Sequence, residues 1–239
     1  MCGTGASPVC VPRSAGQVRI LTLMSLLRAV MQAIRARVFP GSQRYWIERY
    51  ATGRNSGPGS YGELAEFKAE VLNDFVRTHD VKSVIEFGCG DGNQLRLASY
   101  PRYAGLDVSP QAVALCRETF RCDPTKTFKH VDDYAGERAD LALSLDVVFH
   151  LVEDEVFVAY MARLFASAHR FVIVYSSNTD ERPPGTAPHV RHRKFTRWVD
   201  EAAPGWKLVR HIPNRYPCDM ATDRGSFADF FFFARTCQT

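Results

Sequence analysis

The sequence predicts an α/β fold: a doubly wound, mostly parallel sheet of seven strands, helices on both faces, and an antiparallel last strand. Three observations predict it. From residue 63 onward, short apolar or β-branched runs alternate with helical patterns, as expected of repeated βα units. The first such run ends directly in a glycine cluster, Gly88-Cys89-Gly90-Asp91-Gly92. The last two runs have no helix between them, so they must pair through a hairpin-like connection.

Each element follows from its residues. In "YGELAEFKAEVLNDFVRTHD" the residues Leu64, Phe67, Val71, Phe75 and Val76 recur at three- and four-residue steps, which gives a helix with one apolar face. "KSVIEF" (82–87) is a first strand, and a helix is expected after its glycines. "RYAGLD" (102–107) is a second strand, followed by the helix "SPQAVALCRETF" with Ser109 as N-cap and Pro110 in its first turn. "TFKHV" (127–131) and "ADLALSL" (139–145) are the third and fourth strands. The acidic "EDE" at 153–155 suits the start of a helix running to about Ala168. "RFVIVYSS" (170–177) is a continuous apolar run, the pattern of a strand buried on both faces. A helix near 194–203, "WKLVRHI" (206–212) and "SFADFFFFAR" (226–235) complete the set.

Three regions follow: an Arg-rich extension and helical cap over 1–52, a glycine-rich segment over 53–62, and the α/β domain over 63–239. Residues 1–47 carry Arg13, Arg19, Arg28, Arg35, Arg37 and Arg44 but no lysine, and the first acidic residue is Glu48. Residues 19–39 are apolar with arginines at helical spacing, and four readings stay open. They form a helix docked on the domain, a basic amphipathic helix on a membrane surface or a targeting segment, or residues 1–23, upstream of Met24, are an unstructured extension. The apolar run from Ile20 to Leu27 is too short to span a bilayer.

Composition excludes some classes. A net charge of +4 is far from the dense basic stripe of a dedicated nucleic-acid binder. The 7 cysteines include no CxxC pair, which argues against a structural zinc site and fits reduced thiols in a cytoplasmic protein.

"VIEFGCGDGNQL" (84–95) carries the chemistry. Glycines after a strand let the backbone turn sharply and let a ligand reach main-chain N–H groups with no Cβ in the way. Asp107 ends the next strand, about twenty residues beyond Glu86, where a carboxylate accepts hydrogen bonds from ribose hydroxyls. A nucleoside cofactor follows. The glycine spacing departs from the dinucleotide pattern, and Glu86 sits where a carboxylate would repel phosphates yet attract a cation. That disfavours a nicotinamide-dependent reductase and points to S-adenosylmethionine, which bears a sulfonium and an ammonium.

With these residues in place, the chain resembles the class I S-adenosylmethionine-dependent methyltransferases, of Rossmann-like fold, over roughly residues 60–235. "VIEFGCGDG" looks like their first motif, "GLDVSPQAV" their second, "VDDY" (131–134) their adenine-contacting segment and "ADLALSLDVVFHL" their fourth. The resemblance implies that Glu86 orients the loop and the methionine amino group, and that Gly88, Cys89 and Gly90 contact the methionine moiety. It further implies Asp107 at the ribose, Val108 against adenine, Asp133 (beside Asp132) at the adenine amino group, and Asp146 at the cofactor.

The acceptor side rests on Asp146 and His150, which follow the fourth strand, and on His189 and His192 in the long loop "SSNTDERPPGTAPHVRHRKF". Histidine titrates near neutrality and suits a base that takes a hydroxyl proton. His189, His192 and Asp146 as a metal set, and Arg191, Arg193, Lys194 and Arg197 as an anion site, compete with plainer readings as solvated or packed side chains. The Asn/Asp-Pro-Pro-aromatic tetrad of DNA amino-methyltransferases is absent after the fourth strand, where "LDVV" stands, and no nucleic-acid partner is expected. A small molecule or glycan, methylated at oxygen, is the expected acceptor; a non-catalytic S-adenosylmethionine-binding regulatory module is the alternative. The segment "TGRNSGPGSYG" lacks the Gly-Lys-Ser/Thr ending of a phosphate loop, and it is expected to be either a lid that contacts the ligands through Tyr61 or a flexible linker.

Overall fold

The computed structural model describes residues 39–218 and 225–236. All but the last residue of the segment 19–39, and with it the docked-helix, membrane-surface and targeting readings, lies outside the described residues. No helix among the described residues is long and apolar enough to cross a membrane.

Seven strands form one sheet in the order β3-β2-β1-β4-β5-β7-β6. They are β1 (Val84–Phe87), β2 (Tyr103–Asp107), β3 (Lys126–His130), β4 (Ala139–Leu145), β5 (Ala168–Ser176), β6 (Trp206–Ile212) and β7 (Asp229–Arg235). The first five pair in parallel, while β7 inserts between β5 and β6 antiparallel to both. Among the described residues five α-helices accompany them: α1 (Ser42–Ala51), α2 (Gly62–Thr78), α3 (Pro110–Thr119), α4 (Asp154–Ala166) and α5 (Phe195–Ala202).

The central strands are apolar at most positions because both sides are covered. Leu141, Leu143, Ile173, Tyr175, Phe230 and Phe232 face one core, built with Leu72 and Phe75 of α2 and Val113 of α3. Their neighbours Ala142, Val172, Val174, Phe231 and Phe233 face the other, built with Met161 and Leu164 of α4 and Phe195 of α5. The period-two alternation of a strand thus divides the four-phenylalanine run of β7 between two cores. Each buried ring stabilises the fold by about 1.5–3 kcal/mol.

One expected element is missing. No α-helix follows the glycine loop; the chain makes only a 3-10 turn, Gln94–Leu97. Asn73 of α2 ends that turn, donating to the Leu97 carbonyl at 2.9 Å and accepting from the Ser99 amide at 2.8 Å. Ala98 is already extended, so the chain drops straight toward β2. Before the glycine-rich segment, the helix α1 is pinned at its start: the Glu153 carboxylate accepts from the Ser42 amide at 2.9 Å and from its hydroxyl at 2.6 Å. The acid read as a helix-dipole partner therefore docks α1 against the start of α4.

Candidate active site

β1, β2 and β4 all end at one edge of the sheet, and a cavity of about 320 Å³ opens there. Ligands bind at such carboxyl ends because the loops and free backbone N–H groups converge on them. Glu86, Gly88, Cys89, Gly90, Asp107, Val108, Asp146 and His150 all line this cavity.

The glycine loop is a cradle that side chains would fill. Gly88 (φ +86°) and Gly90 (φ +59°) are left-handed, a region costly for residues with a Cβ. A Cβ on Gly90 would come within 2.4 Å of the Ser56 hydroxyl oxygen, and one on Gly88 within 2.4 Å of a Val147 methyl. Behind the loop, the Cys116 thiol donates to the Gly90 carbonyl at 3.2 Å. Cys89 is buried, and its thiol is pushed well up by its hydrogen bond with Cys116 and by burial, so it stays protonated.

Two buried carboxylates flank the cradle. Asp107 accepts from the Gly90 amide at 2.9 Å and from the Ser109 amide at 2.8 Å, and burial raises its pKa to about 6. Glu86 accepts from the Tyr103 hydroxyl at 2.6 Å, and burial pushes it up to about 7 against the lowering effects of Tyr103 and Lys68. Each prefers a cation beside it to empty apolar surroundings. Gln94 also lines the cavity, and its side-chain oxygen is buried without a partner. Buried acids, an orphan amide oxygen and a Cβ-free backbone together fit a ligand with a ribose and positive charge, as S-adenosylmethionine has.

Asp146 stands at φ +58°, one of two non-glycine residues in that region among those described. Its carboxylate is 2.5 Å from the Lys68 ammonium, which is 1% exposed. The sequence reading passed over Lys68, although it lies four residues from both Leu64 and Leu72 on the buried stripe of α2. Trp46 and Tyr50 of α1 were also passed over and line the cavity. Trp46 packs edge-on against His150, with ring centroids 4.8 Å apart.

The structure separates the three candidate histidines. His150 lines the cavity; its Nδ1–H donates to the His189 carbonyl oxygen at 2.9 Å, so its Nε2 carries the free lone pair. Burial lowers its pKa to about 3, far from the near-neutral titration expected of it. His189 stacks its ring on Tyr45 at 4.4 Å and on His150 at 5.3 Å, and its carbonyl accepts from His150 Nδ1. His192 bonds Ser177 at 2.7 Å and lines a second groove with Phe227 and Asp229, apart from the cofactor loop. Phe149 stands between the two sites, 4.4 Å from His150 and 4.8 Å from Phe227.

Three further groups of candidate residues take these places. The 3-10 turn Val131–Asp133 brings Val131 and Asp132, not Asp133, to the cavity. The Tyr61 hydroxyl donates to Asp91 at 2.9 Å instead of lining the cavity, whereas Ser56 and Ser60 from the same segment do line it. Arg191 and Arg193 are held by Asp154 and the Val152 carbonyl, and Arg197 by Asp180, which answers the anion-site reading with structural pairing. Among the described residues no group of three or more His, Cys, Asp or Glu side chains is placed to hold a metal ion.

Solved structures share this architecture. The N-methyltransferase NodS from Bradyrhizobium japonicum, in complex with S-adenosyl-L-homocysteine, superposes with a TM-score of 0.59 at 13% identity, covering 82% of this chain and 98% of that one. Magnesium protoporphyrin IX methyltransferase from Synechocystis, with bound S-adenosylmethionine, gives 0.58 at 15%, covering 83% and 99%. An amino pentose methyltransferase from Micromonospora echinaspora gives 0.54 at 16%, covering 73% and 93%. No curated protein matches the chain at a significant level. Residues 61–226 match the family model of a methyltransferase domain. With its glycine cradle, paired acids and strand order, the chain belongs to that family and is a class I S-adenosylmethionine-dependent methyltransferase.

Proposed function

We propose that this enzyme methylates a hydroxyl of a small molecule or glycan, with His150 receiving the hydroxyl proton. The observation that carries the reading is the tautomer of His150: Nδ1–H is committed to the His189 carbonyl, and His150 lines the cavity that Glu86 and Asp107 also line. The bound donor supplies an electrophilic methyl group, so the chain's own task is to align an acceptor and exclude water. Trp46 and Leu151 give the acceptor end apolar walls, and the neutral imidazole accepts a hydrogen bond from the hydroxyl.

A pKa near 3 makes His150 a weak base, and the reaction needs no stronger one. As the carbon–oxygen bond forms and the methyl leaves sulfur, the hydroxyl proton becomes far more acidic than an imidazolium and moves to Nε2 in the same step. Structural neighbours whose names record action on a porphyrin or an amino pentose support a small acceptor. The segment 53–62 acts as the lid, and its hydrogen bonds to the cofactor loop, described below, support that role.

A panel of hydroxylated and amino acceptors with methyl-labelled donor tests the reading. Label on oxygen, and a kcat loss of about 100-fold or more in His150→Ala with donor affinity kept, are the expected results. Label on nitrogen alone, or full turnover by His150→Ala, would overturn it.

A further inference from the structure

Ser42, Trp46 and Tyr50 of α1 stand one turn apart and all line the cavity, so a single stripe of the helix lies across it. The hydroxyls of two of them are already spent. The Ser42 hydroxyl donates to Glu153 at 2.6 Å and accepts from the Val152 amide at 2.8 Å. The Tyr50 hydroxyl is 2.8 Å from that of Ser56. What the stripe offers a ligand is ring surface, Trp46 with Tyr50 at 6.0 Å and the His150 ring at 4.8 Å between centroids.

Beside Trp46 the wall is made by Gln43, His150 and Leu151. Among the described residues, the cavity's charged groups stand elsewhere. Glu86 and Asp107 flank the glycine cradle, Asp146 is paired with Lys68, and Asp132 and Arg163 lie toward the end of β3, where Arg163 sits over Tyr134 at 5.8 Å. A sugar ring carries several hydroxyls, and each gives up water on entering and needs a partner. Past the Gln43 amide and His150 Nε2, this end has none to spare. A flat ring with one hydroxyl needs one acceptor, which Nε2 supplies, and its faces match the aromatic stripe. The proton points the same way. His150 is a weak base, near 3, and a phenol, which titrates near 10, yields its proton far more readily than an alcohol does.

We infer that the acceptor is a flat aromatic ring that bears the hydroxyl, packed along Trp46 with its oxygen at His150 Nε2. This rests on the oxygen-methylation reading above and narrows it from small molecules and glycans to phenols. The phenol oxygen bonds the methyl carbon as the carbon–sulfur bond breaks with its electron pair left on sulfur, and the hydroxyl proton goes to Nε2. Trp46 is then the residue that sets acceptor choice.

Three probes test this on the full chain with methyl-labelled donor: 2-naphthol, its saturated counterpart decahydro-2-naphthol, and methyl β-glucoside. 2-Naphthol should be methylated with a kcat/KM about 100-fold or more above either alcohol. Trp46→Ala should raise KM for 2-naphthol about tenfold, leave kcat within about threefold and S-adenosylhomocysteine affinity within about twofold, and Trp46→Phe should restore most of the KM. Either alcohol turning over as well as 2-naphthol, or an unchanged KM in Trp46→Ala, would overturn the inference; labelling of an alcohol oxygen that still needs His150 would leave the broader reading standing. Methylation of 2-naphthylamine but not of 2-naphthol would overturn the oxygen reading and this inference together. Should none of the probes turn over, calorimetry on the S-adenosylhomocysteine complex decides. There 2-naphthol should bind about tenfold more tightly than decahydro-2-naphthol, and equal or undetectable binding overturns the inference.

Discussion

The Asp91 carboxylate accepts a hydrogen bond from the Ser56 backbone amide at 2.9 Å, while the Ser56 hydroxyl accepts from the Asp91 amide at 3.1 Å. This reciprocal pair joins the glycine-rich segment 53–62 to the cofactor loop. The Tyr61 hydroxyl adds a second donor to the same carboxylate at 2.9 Å, and Asn93 donates to the Ser60 carbonyl at 2.7 Å. If the segment is a lid, Asp91 is its latch. Asp91→Ala should raise the donor's dissociation rate about tenfold and speed hydrogen exchange across residues 53–62, each lost charged hydrogen bond being worth about 1.5–3 kcal/mol. Unchanged exchange there would show that the segment is held by other means.

Donor affinity should rise with pH. Glu86 and Asp107 have pKa values raised to about 7 and about 6, so both are largely neutral at pH 5.5 and ionised by pH 8. Only the ionised forms attract a sulfonium and an ammonium, so binding at pH 6–7 should release protons. Calorimetry in buffers of different ionisation enthalpy reads that release directly. Tyr103→Phe removes the hydrogen bond that holds the Glu86 pKa down, so it should move the affinity rise to higher pH.

Gly90→Ala should abolish measurable donor binding. The new methyl group meets both Ser56 and the Tyr50 hydroxyl and strains a left-handed backbone. Equilibrium dialysis with labelled S-adenosylmethionine checks it; wild-type affinity would mean that the loop relaxes without cost.

His192→Ala should keep kcat within about threefold of wild type, in contrast to His150→Ala, because His192 bonds Ser177 in the second groove. Parallel rate measurements on the two variants separate the histidines. A collapse in His192→Ala would bring the second groove into catalysis.

Phe232→Ala should cost about 3–5 kcal/mol in urea unfolding, since the ring is 1% exposed between Phe75 and Phe230. A loss under 1 kcal/mol would mean that this core can collapse around the gap.

Most of the sheet was legible in the sequence because strands buried on both sides are written as near-continuous apolar runs, and "FVIVY" and "FFFF" can be little else. The cofactor loop was legible because its glycines and Asp107 lie close together along the chain. Two other residues that line the cavity were hidden for the opposite reason. Lys68 reads as an ordinary helix lysine until its Leu64 and Leu72 neighbours are seen to be buried, and Gln94 sat in what looked like a helix start. The absent helix after the glycines depends on Asn73, a residue from another element. His150 was found, but its titration was misjudged, since burial among Trp46, Phe149 and His189 is a tertiary property.

The bond that fixes the His150 tautomer ends on a main-chain oxygen, and every amino acid brings that oxygen. The loop between β5 and α5 can therefore exchange side chains, position 189 included, and still offer the oxygen that fixes which imidazole nitrogen of His150 carries the proton. In the proposal that His150 receives the hydroxyl proton, changes of side chain in that loop and the orientation of the base are thereby uncoupled.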